Sequence, residues 1–147
     1  MPALESSVAT LRFAGDDLIP DEITALLGTA PARARCKGAT WVGPATGRVY
    51  TARTGQWMLG ADKRTPENLQ AQVFEILGQL TDDLSVWQSL RRYQPDMFCG
   101  LFMANRNDGL SLSPEAMLAL AQRGIVLGLD IYDPIDEREE DPQWRPR

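Results

Sequence analysis

No histidine occurs among the 147 residues. The commonest general base near neutral pH is therefore missing, and with it every triad or metal motif that requires an imidazole. Histidine-dependent zinc hydrolysis and cysteine–histidine proteolysis are excluded. Cysteine is scarce as well. Cys36 and Cys99 lie far apart and have neither the density of a disulfide framework nor the paired spacing of a zinc site, so both read as reduced thiols. Long apolar runs are also lacking: Met97 to Ala104 and Ile125 to Leu129 are too short to cross a bilayer, and Met1 to Ser7 has no basic region followed by an apolar stretch. The expected address is the cytoplasm, with no membrane partner. No glycine-rich phosphate loop ends in lysine and a hydroxyl residue, and Gly38, Gly43 and Gly47 do not make a dinucleotide fingerprint. No cofactor is expected.

What the chain does contain is a phrase written twice. An apolar run, a polar loop, a proline followed by acid, and an amphipathic stretch ending in glycine run from Leu11 to Gly28 and again from Phe98 to Gly124. Pro20 and Pro114 open helices at a position where no hydrogen bond is lost, and Asp21, Glu22 and Glu115 complement the positive end of the helix dipole. Between the copies, residues 39–42, 48–52 and 56–59 read as short strands of a hairpin or small meander. Thr65-Pro66-Glu67 reads as the start of a helix whose apolar face is Leu69, Val73, Ile76, Leu77 and Leu80. Thr81-Asp82-Asp83 caps a shorter one carrying Leu84, Trp87 and Leu90. Asp96 to Ala104 is apolar almost throughout and reads as a central strand covered on both faces. Val126 to Tyr132 closes the sheet.

Strand, helix, two or three strands, two helices, strand, helix, strand is an α+β order. It predicts a mixed, mainly antiparallel sheet with helices packed mostly on one face, ferredoxin-like with two strand–helix units. Residues 1–132 form one domain, and 133–147, acidic and punctuated by proline, form a tail or an edge covering in which Ile135 and Trp144 are the large apolar residues.

Charge points to where a site would lie. The formal net charge is −5, yet residues 29–64 carry +6 while 1–28 and 130–147 each carry −4. Internal complementarity is the economical explanation. The basic middle also holds Trp41 and Trp57 among Arg33, Arg35, Lys37 and Arg53, a pattern suited to an anionic small molecule or an acidic protein partner. Aromatics among arginines also occur on single-strand binding surfaces, but a pI near 4.7 argues against nucleic acid. Asp16, Asp17, Asp21 and Glu22 are the densest acids outside the tail. Their spacing is not that of an EF-hand and the dipole explains two of them, so no metal site is assigned.

Residues 13–31 (Phe13-Ala14-Gly15-Asp16 through Pro31), Gly38, the strand Thr54-Gly55-Gln56-Trp57 and the closing Leu127-Gly128-Leu129-Asp130-Ile131-Tyr132 resemble a bacterial family, domain of unknown function 4279. The resemblance covers about Val8 to Tyr132. It implies an α+β domain without established activity or catalytic residues. Asp130 and Tyr132, which match the family pattern, share one strand face and can bond to a loop or a ligand.

Two functions remain open on the residues. The first is a non-enzymatic binding or interaction module, immunity-like by analogy with other small bacterial domains, whose surface of Arg33, Arg35, Lys37 and Arg53 holds an acidic partner with Trp41 or Trp57 as anchor. The second is a small enzyme or ligand-binding domain for an anionic small molecule, with Asp16 or Asp130 as acid–base group and an arginine orienting the substrate. The chain is expected to be a monomer or a homodimer, the latter through an edge strand.

Overall fold

Side-chain parity along the first strand decides which side of the sheet is filled. In the computed structural model, which describes residues 2–134, β1 (Ser6–Gly15) buries Ser7, Ala9, Leu11 and Phe13, while Val8, Thr10 and Arg12 stay half-buried on the opposite face. This is the period-two alternation of a sheet packed on one side. Ile135, Trp144 and the rest of the expected tail beyond Pro134 lie outside the described residues.

α1 (Pro20–Leu27) starts at proline and stops where Gly28 turns left-handed at φ 86°. It buries Ile23 and Leu27. β2 (Arg33–Arg35) follows, a strand that the sequence pattern did not reveal, then the hairpin β3 (Thr40–Val42) and β4 (Val49–Thr51), and then β5 (Gly55–Gly60). α2 (Leu69–Leu77) begins later than Thr65-Pro66-Glu67 suggests. Arg64 still bridges Ser7 as extended chain, and it is Asn68 that caps the helix by accepting from the Ala71 amide at 3.2 Å. α3 (Leu84–Leu90) is capped by Asp83 as expected and passes through a single 3-10 turn into β6 (Asp96–Phe102). α4 (Pro114–Gln122) and β7 (Val126–Tyr132) end the described fold.

The sheet order is β2-β5-β1-β6-β7, and among neighbouring strands only β6 and β7 run parallel. The fold is α+β with a mixed, mostly antiparallel sheet. A ferredoxin-like topology splits each strand–helix–strand unit around an intervening strand. Here α1 leads to β2, parallel to β1 with β5 between them, and α2 and α3 lead from β5 to β6, parallel with β1 between them, whereas α4 leads to β7, parallel and directly beside β6. The repeated phrase thus has one local form and two tertiary outcomes.

One apolar core lies on the helix side. Phe13 meets Trp57 edge-on at 5.6 Å and stacks on Trp87 at 6.0 Å, and Met97, Cys99 and Leu101 of β6 join Val73, Ile76 and Leu120 from the helices. The other face has no helix over it among the described residues. β6 is central, but it is covered on one side only, because Phe98 and Phe102 on the open face remain half-buried. Register places on that face Arg33 and Arg35 of β2, Gln56 and Met58 of β5, Arg12 of β1, and Asp130 and Tyr132 of β7.

The helix ends are secured by ordinary caps, and one can be measured simply. Ser113 accepts from the Ala116 amide at 3.1 Å at the start of α4. Ser113→Ala is expected to cost about 1 kcal/mol, read as a fall of a few degrees in thermal midpoint.

Candidate functional site

The cleft on the open face is made by a detour of the backbone. Pairing with β5 sets Arg33 opposite Met58 and Arg35 opposite Gln56. The chain then turns through Gly38, left-handed at φ 85°, whose amide donates to Ala52 at 2.9 Å, and the Ala52 amide donates to Ala39 at 2.8 Å. These two bonds and the buried Ala52 close the base of the β3–β4 hairpin. The hairpin stands beside the sheet as a wall. Gly55 then lets the chain rejoin it: a Cβ there would lie 2.7 Å from the Gly15 carbonyl oxygen and 2.9 Å from the Leu18 Cβ, so only glycine allows this approach.

Between hairpin and sheet lies an open cleft of about 670 Å³ whose cationic groups are Arg33, Arg35 and Arg53. No carboxylate lines it, and none of the three arginines takes part in an ion pair among the described residues. The Arg35 guanidinium carbon sits 3.4 Å from the Trp41 ring centre, and Trp41 stacks on Tyr50 with centres 5.6 Å apart at 22°. The stack fixes the plane of Arg35, which presents its outer N–H fork instead of sampling rotamers. What the cleft offers is guanidinium forks for oxyanions.

A smaller cavity of about 240 Å³ adjoins it, with Gln56 lining both. There Arg12 grips Asp96 across the strands through Nε to Oδ1 at 2.9 Å and a terminal nitrogen to Oδ2 at 2.7 Å, and its guanidinium lies 4.3 Å from the Phe98 ring centre. The bond to Asp96 raises the Arg12 pKa above its already high ordinary value. Sequence reasoning passed over Arg12, Gln56 and Asp96. The parity of β1 could have found Arg12, since it is out of phase with Leu11 and Phe13.

The residues singled out from sequence are divided by the fold. Arg33, Arg35, Arg53 and Trp41 come together in the cleft. Lys37 does not join them; it bonds Asp16 at 3.1 Å on the surface, and that bond, with a second from Thr54, holds the Asp16 carboxyl below its usual range. A general acid at neutral pH needs the opposite shift, so Asp16 has no sign of that role. Trp57 is fully buried on the helix side and its indole donates to Thr24 Oγ1 at 3.1 Å, so it is no surface anchor. The alternation of β5 that exposes Gln56 and Met58 to the cleft side turns Trp57 inward. Asp130 and Tyr132 meet at the far edge strand, where the phenol donates to the carboxylate at 2.6 Å and is raised in pKa by it. Asp16, Asp130 and Tyr132 line neither cavity. Cys36 is exposed, whereas burial pushes the Cys99 thiol up to about 12, far from a reactive thiolate.

Among the described residues no cluster of three or more acidic or cysteine side chains is arranged to hold a metal ion, and no helix is long and apolar enough to cross a membrane. Residues 5–134 match a family model described as domain of unknown function, DUF4279. No curated protein and no solved structure gives a significant match.

Proposed function

The chain belongs to the DUF4279 family, which brings no activity with it, and from its own cleft we propose a binding domain that holds an extended acidic segment of a protein partner. The observation that carries this reading is the convergence of Arg33, Arg35 and Arg53 on one open cleft that no carboxylate among the described residues lines. Three like charges side by side repel one another and are retained at a cost to stability, so an anion that neutralises them is the natural complement. The form of the ligand follows from the spacing. Arg33 and Arg35 alternate on one face of β2, so their stems stand roughly 6.6–7 Å apart, the same interval that separates acidic side chains two residues apart in an extended peptide. β2 is also a sheet edge, and such a peptide can lie along it as a further strand. The stacked Arg35 loses little freedom on binding, because Trp41 and Tyr50 have already ordered it.

Titration calorimetry with a peptide of alternating glutamate and serine tests this. Binding is expected for the unaltered protein, weakening steeply with salt. Arg33→Glu with Arg35→Glu is expected to reduce affinity by more than tenfold with the thermal midpoint little changed, since Arg33 is exposed and neither arginine supports the core. Equal affinity in the double variant would remove the cleft from consideration. Pyrophosphate in place of the peptide measures how much of the attraction is charge alone.

A further inference from the structure

The opposite edge of the sheet is built differently. Among the described residues β7 is an edge strand over its full length, Val126–Tyr132, and it carries no lysine, arginine or proline, the residues that commonly blunt an exposed edge. Val126, Leu129, Ile131 and Tyr132 are between 45% and 65% exposed. Its hydrogen-bonding phase is fixed by its inner neighbour. The Val126 amide donates to Pro95 and the Tyr132 carbonyl accepts from Met103, so the even-numbered residues spend their backbone groups on β6. Leu127, Leu129 and Ile131 therefore point their N–H and C=O groups away from the sheet.

We infer that β7 is a dimerisation edge that pairs antiparallel with β7 of a second copy of this chain, about a two-fold axis at Leu129. A second copy fits because the strand is complementary to itself in this register and in no neighbouring one as well. With Leu129 facing its own counterpart, Leu127 faces Ile131, and these are the residues with outward backbone groups, so the ladder closes with about six hydrogen bonds. All three pairs on the helix side are then apolar. On the open face Val126 meets Tyr132, and Asp130 meets Gly128, so the single charge of the strand has no like charge opposite. Shifting the axis to Asp130 sets the two carboxylates against each other, which is unfavourable. Shifting it to Gly128 shortens the ladder and leaves Tyr132 unpaired. The centred register joins the two five-stranded sheets into one and leaves the arginine clefts at its two outer ends.

Light scattering coupled to size exclusion, over a dilution series, tests the proposal. The unaltered chain is expected at twice the monomer mass, dissociating on dilution. Leu129→Glu places two carboxylates at the axis and is expected to give monomer; Leu26→Glu, at an exposed position on α1, is expected to leave the dimer intact. The register has its own test. Gly128→Asp fits sterically, since a Cβ there meets nothing nearer than the Met97 carbonyl oxygen at 4.0 Å, and it puts two like-charged pairs across the interface. It is expected to give monomer, and adding Asp130→Lys, which turns both contacts into opposite-charge pairs, is expected to restore the dimer. Circular dichroism confirms folding of each variant. Monomer for the unaltered chain at every concentration overturns the proposal, as does a dimer that survives Leu129→Glu or a double variant that stays monomeric. Dimer formation only after removal of residues 135–147 overturns it too, because the chain's own tail would then be the edge's occupant.

Discussion

Trp57→Ala is expected to lower the stability of the domain by about 3–5 kcal/mol, the range for truncating a large buried aromatic. Three losses coincide at this position. The indole is fully buried, it packs edge-on against Phe13 at 5.6 Å, and its N–H is satisfied by Thr24 of α1 at 3.1 Å. Removing it opens a cavity where β5, β1 and α1 meet and leaves the Thr24 hydroxyl without that partner. Urea titration followed by far-ultraviolet circular dichroism measures the effect. A loss under about 1 kcal/mol would mean that the core collapses around the site and that the aromatic cluster contributes little. Trp41→Ala provides the contrast, because Trp41 stands on a surface hairpin and its contacts are Arg35 and Tyr50. Its stability cost is expected at about 1–2 kcal/mol, while affinity for the acidic peptide falls because Arg35 is no longer held in plane.

These two tryptophans show what sequence could and could not supply. Both lie in the basic middle and both have strand-like neighbours, so composition gives them the same standing. Parity separates them: Trp57 alternates with Gln56 and Met58 along six paired residues, and its phase is that of Leu59. β3 has three residues, too short a run for a phase to be read, and only the pairing of Trp41 with Tyr50 fixes where it points. β2 was invisible for the same reason. Its three residues, Arg33–Arg35, hold a single apolar side chain, and it is a strand because β5 offers an edge to it.

Helices were more legible, since caps and apolar spacing act locally. Pro20, Gly28, Asp83 and Ser113 lie at or next to the boundaries that they signal. The start of α2 was misplaced because Thr65-Pro66-Glu67 imitates a cap while the chain there is still answering to β1 through the Ser7 and Arg64 pair. Strand order was less legible. One copy of the strand–helix phrase leads to β2, parallel to β1 but with β5 between them, the other to β7, parallel and directly beside β6, and the difference lies in β5, which enters the sheet between β1 and β2. The cationic half of the site could be anticipated from clustered arginines, whereas the fate of Lys37, Asp16 and Trp57 depended on contacts made across the fold.

Gln72→Leu is the second substitution expected to have a large effect, about 2–4 kcal/mol, and nothing in the apolar stripe of α2 announces it. Gln72 is fully buried between Leu69 and Ile76. Its Oε1 accepts from the Ser7 hydroxyl at 2.6 Å, and its Nε2 donates to the carbonyl oxygens of Ser7 at 2.8 Å and Asp62 at 2.9 Å. The Ser7 oxygen in turn accepts from the Asn68 amide at 3.1 Å, so one network ties the start of α2 to β1 and to the exit from β5. Leucine fills nearly the same volume, but it strands the buried Ser7 hydroxyl proton and takes its partner from the part-buried Asp62 carbonyl, and a buried orphaned group costs about 1–3 kcal/mol. Adding Ser7→Ala removes one of the two orphans and at the same time frees the Asn68 amide, which can reach solvent because Asn68 is exposed. The double variant is therefore expected to be no less stable than Gln72→Leu alone, a strongly non-additive result in a denaturation cycle. Additive losses would show that the two side chains act separately. Because the network clamps the strands from the helix side, its loss reaches the arginine cleft only through unfolding, and peptide affinity of the folded fraction is expected to stay unchanged.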